Sequence, residues 1–383
     1  MSILKRKFFI TIILIACIMS FGMFYVYFNV PLRTAIYRSV FRQTVYLTSD
    51  KDTLYSFGYF GVRKQLINRK DGSLSLLKEN STFCKNCFIG HLIGRSGIVH
   101  GNYLYVAARS YLGGRYISKD KNYLKGKFLI MRKSDLKIIK EIKSDYSMIE
   151  TKIYDNYLVV TGLQGFNIYD IKEPINPKII YSYRTDKPEE YQGCDFFLNK
   201  KKLYLAIARF DEGISIFRID NSDVKRIKDI PIMGTNSSYG ILGDGLHIFK
   251  LKIKYPYIYT TLAPKKENVG SKKDYRGIIV YNIDNMDNIK SYAVLIPRSY
   301  YYKTITGDPQ PSYIDIYNNK IYVNFCEKGV AVFSLPVFKS KSEFIGLKDF
   351  SGGKMILPIY IDKTGTMFMG SFDNENIYSI KLN

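Results

Sequence analysis

One unit recurs along this chain, running strand, tight turn, strand, glycine, strand, and a repeat of that length restricts the fold more than any other feature. It is clearest in Ile153-Tyr154-Asp155-Asn156-Tyr157-Leu158-Val159-Val160-Thr161-Gly162, followed by Gly165-Phe166-Asn167-Ile168-Tyr169-Asp170-Ile171. Asp155 and Asn156 tolerate left-handed backbone and can bond their own main chain, which suits a hairpin turn. The alternation behind the turn puts Leu158 and Val160 on one face and Tyr157 and Val159 on the other.

The same grammar is written four more times. Turn-and-strand segments at His100 to Ala107, Asn199 to Ala206, Tyr255 to Thr260 and Asn318 to Val323 are answered by strands led by Gly126, Gly213, Gly277 and Gly329. From Gly165 onward the leading glycines lie 48, 64 and 52 residues apart, near the roughly 40 to 50 residues per blade of propeller repeats once loop insertions are allowed. Weaker units occupy residues 45–77 and 356–380. Seven units result, so the expected fold is an all-β, seven-bladed β-propeller, with six or eight blades as the alternatives that the loose ends leave open. A pair of β-sandwiches would also show short strands and regular turns, but would not explain one grammar written five times. Because the chain finishes inside a strand, the last blade is expected to be closed by a strand from the N-terminal end, which would hide the ring's edges.

The unit from Asn156 to Pro177 resembles the bacterial and archaeal LVIVD repeat. It has the asparagine-aromatic turn (Asn156-Tyr157), the glycine (Gly165), the hydrophobic strand ending in acid (Phe166 to Asp170) and Pro174 and Pro177 ahead of the outer strand. Ile219-Asp220 and Ile283-Asp284 keep the acid shifted by two places, and the units at Val106 and Val332 lack it. The resemblance implies a propeller on an exported or surface-attached protein, and no particular reaction.

Composition agrees with a sheet protein and narrows the partners. Of 383 residues 46% are hydrophobic and 24% charged, which excludes wholesale disorder, and the 34 Tyr and 24 Phe favour half-buried pleated surfaces. The net charge of +23 points to a basic, solvated surface or an anionic partner. Lysines are spread along the chain and no nucleic-acid motif accompanies them, so nucleic acid is not expected.

The N-terminus sets the expected compartment. After a tail of residues 1–7 carrying Lys5-Arg6-Lys7, the chain is uncharged and apolar from Phe8 to Val30, long enough as a helix to span a bilayer. The short basic tail would stay in the cytoplasm, giving a single-pass anchor in a bacterial cell membrane, a linker over 31–43 and an extracytoplasmic propeller over 44–383. Two alternatives share that outcome. Leu14-Ile15-Ala16-Cys17 matches a lipobox, which would make Cys17 a lipidation site, and ordinary signal cleavage would release the domain.

Candidate chemistry is sparse. Cys84 and Cys87 have the spacing of a local disulfide, with free thiols and redox or metal work as the other readings; Cys194 and Cys326 read as small buried side chains. No metal or cofactor is expected. Asp195 and Asp315 occupy similar inner-strand places, and His247 stands near the start of another inner strand, so these three are the catalytic candidates. Insertions at 110–124, 264–276 and 297–311 are rich in Tyr and Lys/Arg, the composition of recognition surfaces. They supply the binding candidates Tyr111, Arg115, Tyr116, Lys272, Lys273, Arg276, Arg298, Tyr301 and Tyr302. The expected function is a membrane-anchored binding module for an anionic envelope polymer or protein partner. The alternative is an envelope-carbohydrate lyase or hydrolase built on Asp195, His247 and Asp315.

Overall fold

The computed structural model describes residues 43–81, 92–110, 126–185, 192–237, 240–301, 311–325, 328–336, 341–350, 356–371 and 376–382. They form seven antiparallel blades in chain order. Blade 1 is β1 (Thr44–Asp50), β2 (Thr53–Gly58), β3 (Gly61–Ile67) and β4 (Leu74–Asn80); blade 2 is β5 (Leu92–His100), β6 (Tyr103–Ser110), β7 (Gly126–Arg132) and β8 (Ile138–Lys143). Blade 3 is β9 (Met148–Tyr154), β10 (Tyr157–Gly162), β11 (Gly165–Asp170) and β12 (Lys178–Arg184); blade 4 is β13 (Cys194–Asn199), β14 (Lys202–Ala208), β15 (Ile214–Asp220) and β16 (Asp223–Ile230). A small hairpin, β17 (Asn236–Ser237) and β18 (Gly240–Ile241), precedes blade 5, which is β19 (Leu246–Lys254), β20 (Tyr257–Pro264), β21 (Gly277–Asn282) and β22 (Lys290–Leu295). Blade 6 is β23 (Ile314–Tyr317), β24 (Lys320–Asn324), β25 (Val330–Ser334) and β26 (Phe344–Lys348); blade 7 has three strands, β27 (Ile356–Ile361), β28 (Thr366–Ser371) and β29 (Ile377–Lys381).

The first strands close a ring, β1 against β5, then β9, β13, β19, β23, β27 and back to β1. The arrangement is a seven-bladed β-propeller with the first strands innermost. Its core is divided among the seams: seven hydrophobic clusters each join two neighbouring blades. The seam that closes the ring is the thinnest, with Leu47, Leu54 and Ile67 of blade 1 against Phe368 of blade 7. Polar ties reinforce it, including Ser49 Oγ to Tyr360 OH at 2.8 Å and Ser379 Oγ donating to the Gly72 carbonyl at 2.9 Å. Arg69 pairs with Asp52 at 2.7 Å and also with Asp362 across the seam.

The repeated sequence features have local causes. Asp155, Asn318 and Asn319 have positive φ in the hairpin turns between first and second strands, the conformation these residue types accept most readily. The glycine that leads the third strand in blades 3 to 6 is required by crowding. A Cβ on Gly165, Gly213, Gly277 or Gly329 would collide with a carbonyl oxygen at the end of the same blade's fourth strand. Five blades also repeat an irregularity, a register shift between third and fourth strands at Lys64/Gln65, Ile130/Met131, Ile168/Tyr169, Ile216/Phe217 and Val332/Phe333, which adds twist toward the rim.

Two expectations meet the limits of this description. The apolar run from Phe8 to Val30, with Cys17 inside it, lies outside the described residues, and among the described residues no helix is long and apolar enough to cross a membrane. The expected closing strand is likewise not among them. β1 is the innermost strand of blade 1, and β29 pairs with β28 alone among the described strands.

Candidate functional site

Strand polarity sorts the connections by face. First strands run toward the face carrying the tight turns, such as Asp155-Asn156, and every second-to-third and fourth-to-first connection opens on the opposite face. That opposite face therefore receives the chain between β6 and β7, between β20 and β21, and between β22 and β23, the places of all three insertions. The first-to-second hairpin turns lie on one side of the disc, the tight-turn face, and the chain enters and leaves all three insertions on the other, the long-loop face, which also carries the two-residue β10–β11 turn.

On the long-loop face the described binding candidates divide into builders and presenters. Arg276 is buried and grips Asp274, its Nε donating to Oδ1 at 2.7 Å and its Nη2 to Oδ2 at 3.1 Å. The buried Tyr301 ring lies 4.9 Å from the Arg276 guanidinium, and its hydroxyl donates to the Asp274 carbonyl at 2.8 Å. Arg298 is half-buried, donates to the Lys272 carbonyl and stands 5.5 Å from the Tyr275 ring. These side chains weld the β20–β21 loop to the segment after β22. Lys272 and Lys273 remain exposed, Lys273 meeting Asp244 at 3.0 Å in a solvated pair. The organiser, Asp274, was not singled out by sequence, although its place two residues before Arg276 was a visible signal. Tyr111, Arg115, Tyr116, Tyr302, Cys84, Cys87 and Cys326 lie outside the described residues.

Within the ring of first strands lies a cavity of about 180 Å³, lined by residues of β1, β5, β9, β19, β23 and β27. Sequence reasoning missed its charged lining. Lys250 Nζ meets Glu150 Oε2 at 2.6 Å with both side chains nearly buried, and Lys252 Nζ meets Asp315 Oδ1 at 2.8 Å. Burial pushes the Lys250 amine below its ordinary value, against the opposing pull of Glu150. Lys152 lines the same cavity: burial opposes its ammonium, but negative charge around it, from Asp195 and Glu150, holds its pKa well up. Burial raises Tyr46 and the free, buried Cys194, so both stay protonated. Three lysines and three carboxylates thus gather near the cavity, with the Arg95 cation of β5 also close enough to disfavour the Lys250 ammonium.

The three catalytic candidates do not share one task. Asp195 accepts the backbone N–H of Ile253 at 3.1 Å, and Asp315 accepts that of Ile361 at 2.8 Å. Each carboxylate reaches from one first strand to the next and latches two blades. His247 is buried in the blade 4–5 seam, stacked on Phe210 at 4.3 Å and edge-on to Phe249 at 4.5 Å, and is not among the cavity's lining residues. Among the described residues no group of three or more His, Cys, Asp or Glu side chains is placed to hold a metal ion.

No family model matches this chain, and no curated protein does. Solved structures do. The structure of U3-55K is similar with a TM-score of 0.56 at 9% identity, covering 89% of this chain and 96% of that one. The computationally designed Ika8 protein is similar with a TM-score of 0.51 at 8% identity over the same shares. At such identities the likeness describes the fold alone.

Proposed function

We propose that this protein is a binding module: a rigid disc held at a bacterial membrane by the segment from Phe8 to Val30, with its long-loop face turned to an anionic envelope polymer or a protein partner. The single observation that carries the reading is that every insertion opens on one face, where Arg276, Asp274 and Tyr301 stiffen a loop that leaves Lys272 and Lys273 exposed. Rigid presentation lowers the ordering cost of binding. The channel supports the same reading from the other side, because Lys250 and Lys252 are paired across blades with Glu150 and Asp315, and the candidate carboxylates Asp195 and Asp315 are engaged by backbone N–H groups. The resemblance of the Asn156 to Pro177 unit to LVIVD repeats suits an exported propeller of this kind.

The experiment compares faces. A chain beginning at Pro31 is passed over an anionic polysaccharide matrix at rising salt, as wild type, as Lys272→Glu/Lys273→Glu, and as Lys200→Glu/Lys201→Glu on the tight-turn face. Earlier elution of the first variant alone is expected, since exposed charges act over about a Debye length, roughly 10 Å at 0.1 M salt. Equal losses from both faces would reduce the binding to the diffuse charge of +23 and sink the proposal.

A further inference from the structure

One cation inside the ring of first strands has no counter-ion of its own. Of the three lysines that line the cavity, Lys250 is paired with Glu150 and Lys252 with Asp315. Lys152 makes neither an ion pair nor a hydrogen bond among the described residues. The lining therefore carries three cations against two carboxylates, an excess of one, and beyond it Asp195 and Arg95 offset each other. Asp195 is also engaged elsewhere, accepting the N–H groups of Phe196 and Ile253 at 3.1 Å each. A cation held away from bulk water calls for a partner, and the described chain supplies none.

The tyrosines of the cavity are uneven in the same way. Tyr313 donates its hydroxyl to the Val45 carbonyl, and the Tyr360 hydroxyl meets Ser49 Oγ at 2.8 Å. The Tyr46 hydroxyl makes no hydrogen bond among the described residues. Burial keeps it protonated, and Lys152 is the leading charge acting on it, so the two unused donors lie near one another.

We propose that this cavity binds a small monocarboxylate, one oxygen accepting from the Lys152 ammonium and the other from the Tyr46 hydroxyl. The excess of a single positive charge is cancelled by a monoanion, and two donors satisfy the two oxygens of a carboxylate. A phosphate group, with more oxygens and a charge of about −1.5 to −2 at neutral pH, would be left partly uncompensated. Pro358 and the rings of Tyr46 and Tyr313, 6.0 and 5.5 Å from Lys250 Nζ, give the same space apolar walls for an alkyl body. A volume of about 180 Å³ is the share of about six waters, so the ligand has about six non-hydrogen atoms, the size of butyrate. Tyr46 stands on β1 and Lys152 on β9, so the bound acid would tie blade 1 to blade 3 across β5. The site uses neither Lys272 nor Lys273 and stands or falls apart from the loop-face reading.

The test is equilibrium dialysis of the full chain in maltoside micelles against radiolabelled butyrate, with empty micelles subtracted. Saturable binding of a single butyrate per chain is expected, displaced by unlabelled butyrate and not by butyramide, which has the same size and no charge. Lys152→Met should weaken binding by about tenfold or more, the usual worth of a hydrogen bond to a charged group. Tyr46→Phe should weaken it by a smaller factor, and Lys200→Glu/Lys201→Glu, which changes the net charge on the outer surface, should leave it unchanged. Should Lys152→Met fail to fold, Tyr46→Phe and the butyramide competition on the unaltered chain decide the matter. Absence of saturable binding, displacement by butyramide as effective as by butyrate, undiminished binding in folded Lys152→Met or in Tyr46→Phe, or an equal loss in the Lys200/Lys201 variant would each overturn the site. Displacement by inorganic phosphate at lower concentration than by butyrate would overturn the ligand class.

Discussion

Replacing Glu150 with Gln isolates the energetic logic of the channel. The substitution keeps the side chain's shape and removes the charge 2.6 Å from Lys250 Nζ, where both partners have side-chain exposures of 10% or less. Lys250 must then remain an unpaired buried cation or give up its proton. Neutralising a lysine of ordinary value 10.5 at pH 7 costs about 5 kcal/mol, which bounds the damage from above. Burial has already moved Lys250 part of the way, so a loss of about 3–4 kcal/mol is expected, within the usual range for orphaning a buried ion. The sign of the pH dependence follows from the same shift. With a folded-state pKa below 10.5, the unfolded chain binds more protons between the two values, so stability rises with pH across that window, more steeply in the variant and by at most about 1.4 kcal/mol per unit. Urea unfolding of a chain beginning at Pro31, repeated between pH 7 and pH 10, measures both. The double variant Glu150→Leu/Lys250→Met should return to within about 1 kcal/mol of wild type or exceed it. A single-variant loss under about 1 kcal/mol with no pH dependence would refute the buried pair.

Other substitutions read other parts of the ring. Gly213→Ala should cost roughly 2–5 kcal/mol in the same assay, since φ is +89° and a Cβ meets the Ile230 carbonyl, whereas Gly101→Ala, with open space around it, should cost about 1 kcal/mol. Asp315→Ala frees the Ile361 N–H and Lys252 together and should lower stability by about 2–4 kcal/mol, more than Asp195→Ala, which frees the Ile253 N–H. Asp362→Asn should flatten the acid limb of the stability profile. Burial opposes the Asp362 carboxylate, but the Thr366 and Thr364 N–H groups and Arg69 outweigh it and hold its pKa below 3.8, so its contribution is present above that value and is lost as pH falls through the lower one. An unchanged acid midpoint would remove Asp362 from the closing seam's energetics.

What could be read along the chain was what is local. Asp155-Asn156 and the glycines at 165, 213, 277 and 329 declare turns and crowded strand starts through their own backbone needs, so seven units could be counted before any contact was known. The sites were less legible because their partners are remote. Glu150 and Lys250 stand a hundred positions apart and meet only when β9 and β19 reach the same channel. Asp195 and Asp315 announced their inner-strand places but not that a neighbouring blade's N–H would engage each carboxylate. Arg276 and Tyr301 looked like surface for want of any local sign that Asp274 would draw them inward.

Periodicity two, turn chemistry and a spacing near fifty were enough to determine blades, because each is enforced by hydrogen bonds and sterics within a few residues. Only the closed ring decided which side chains are buried ions, which are latches and which are left facing solvent. Burial and electrostatic partnership are properties of the seams between blades, and a seam exists only after the circle has brought distant strands together.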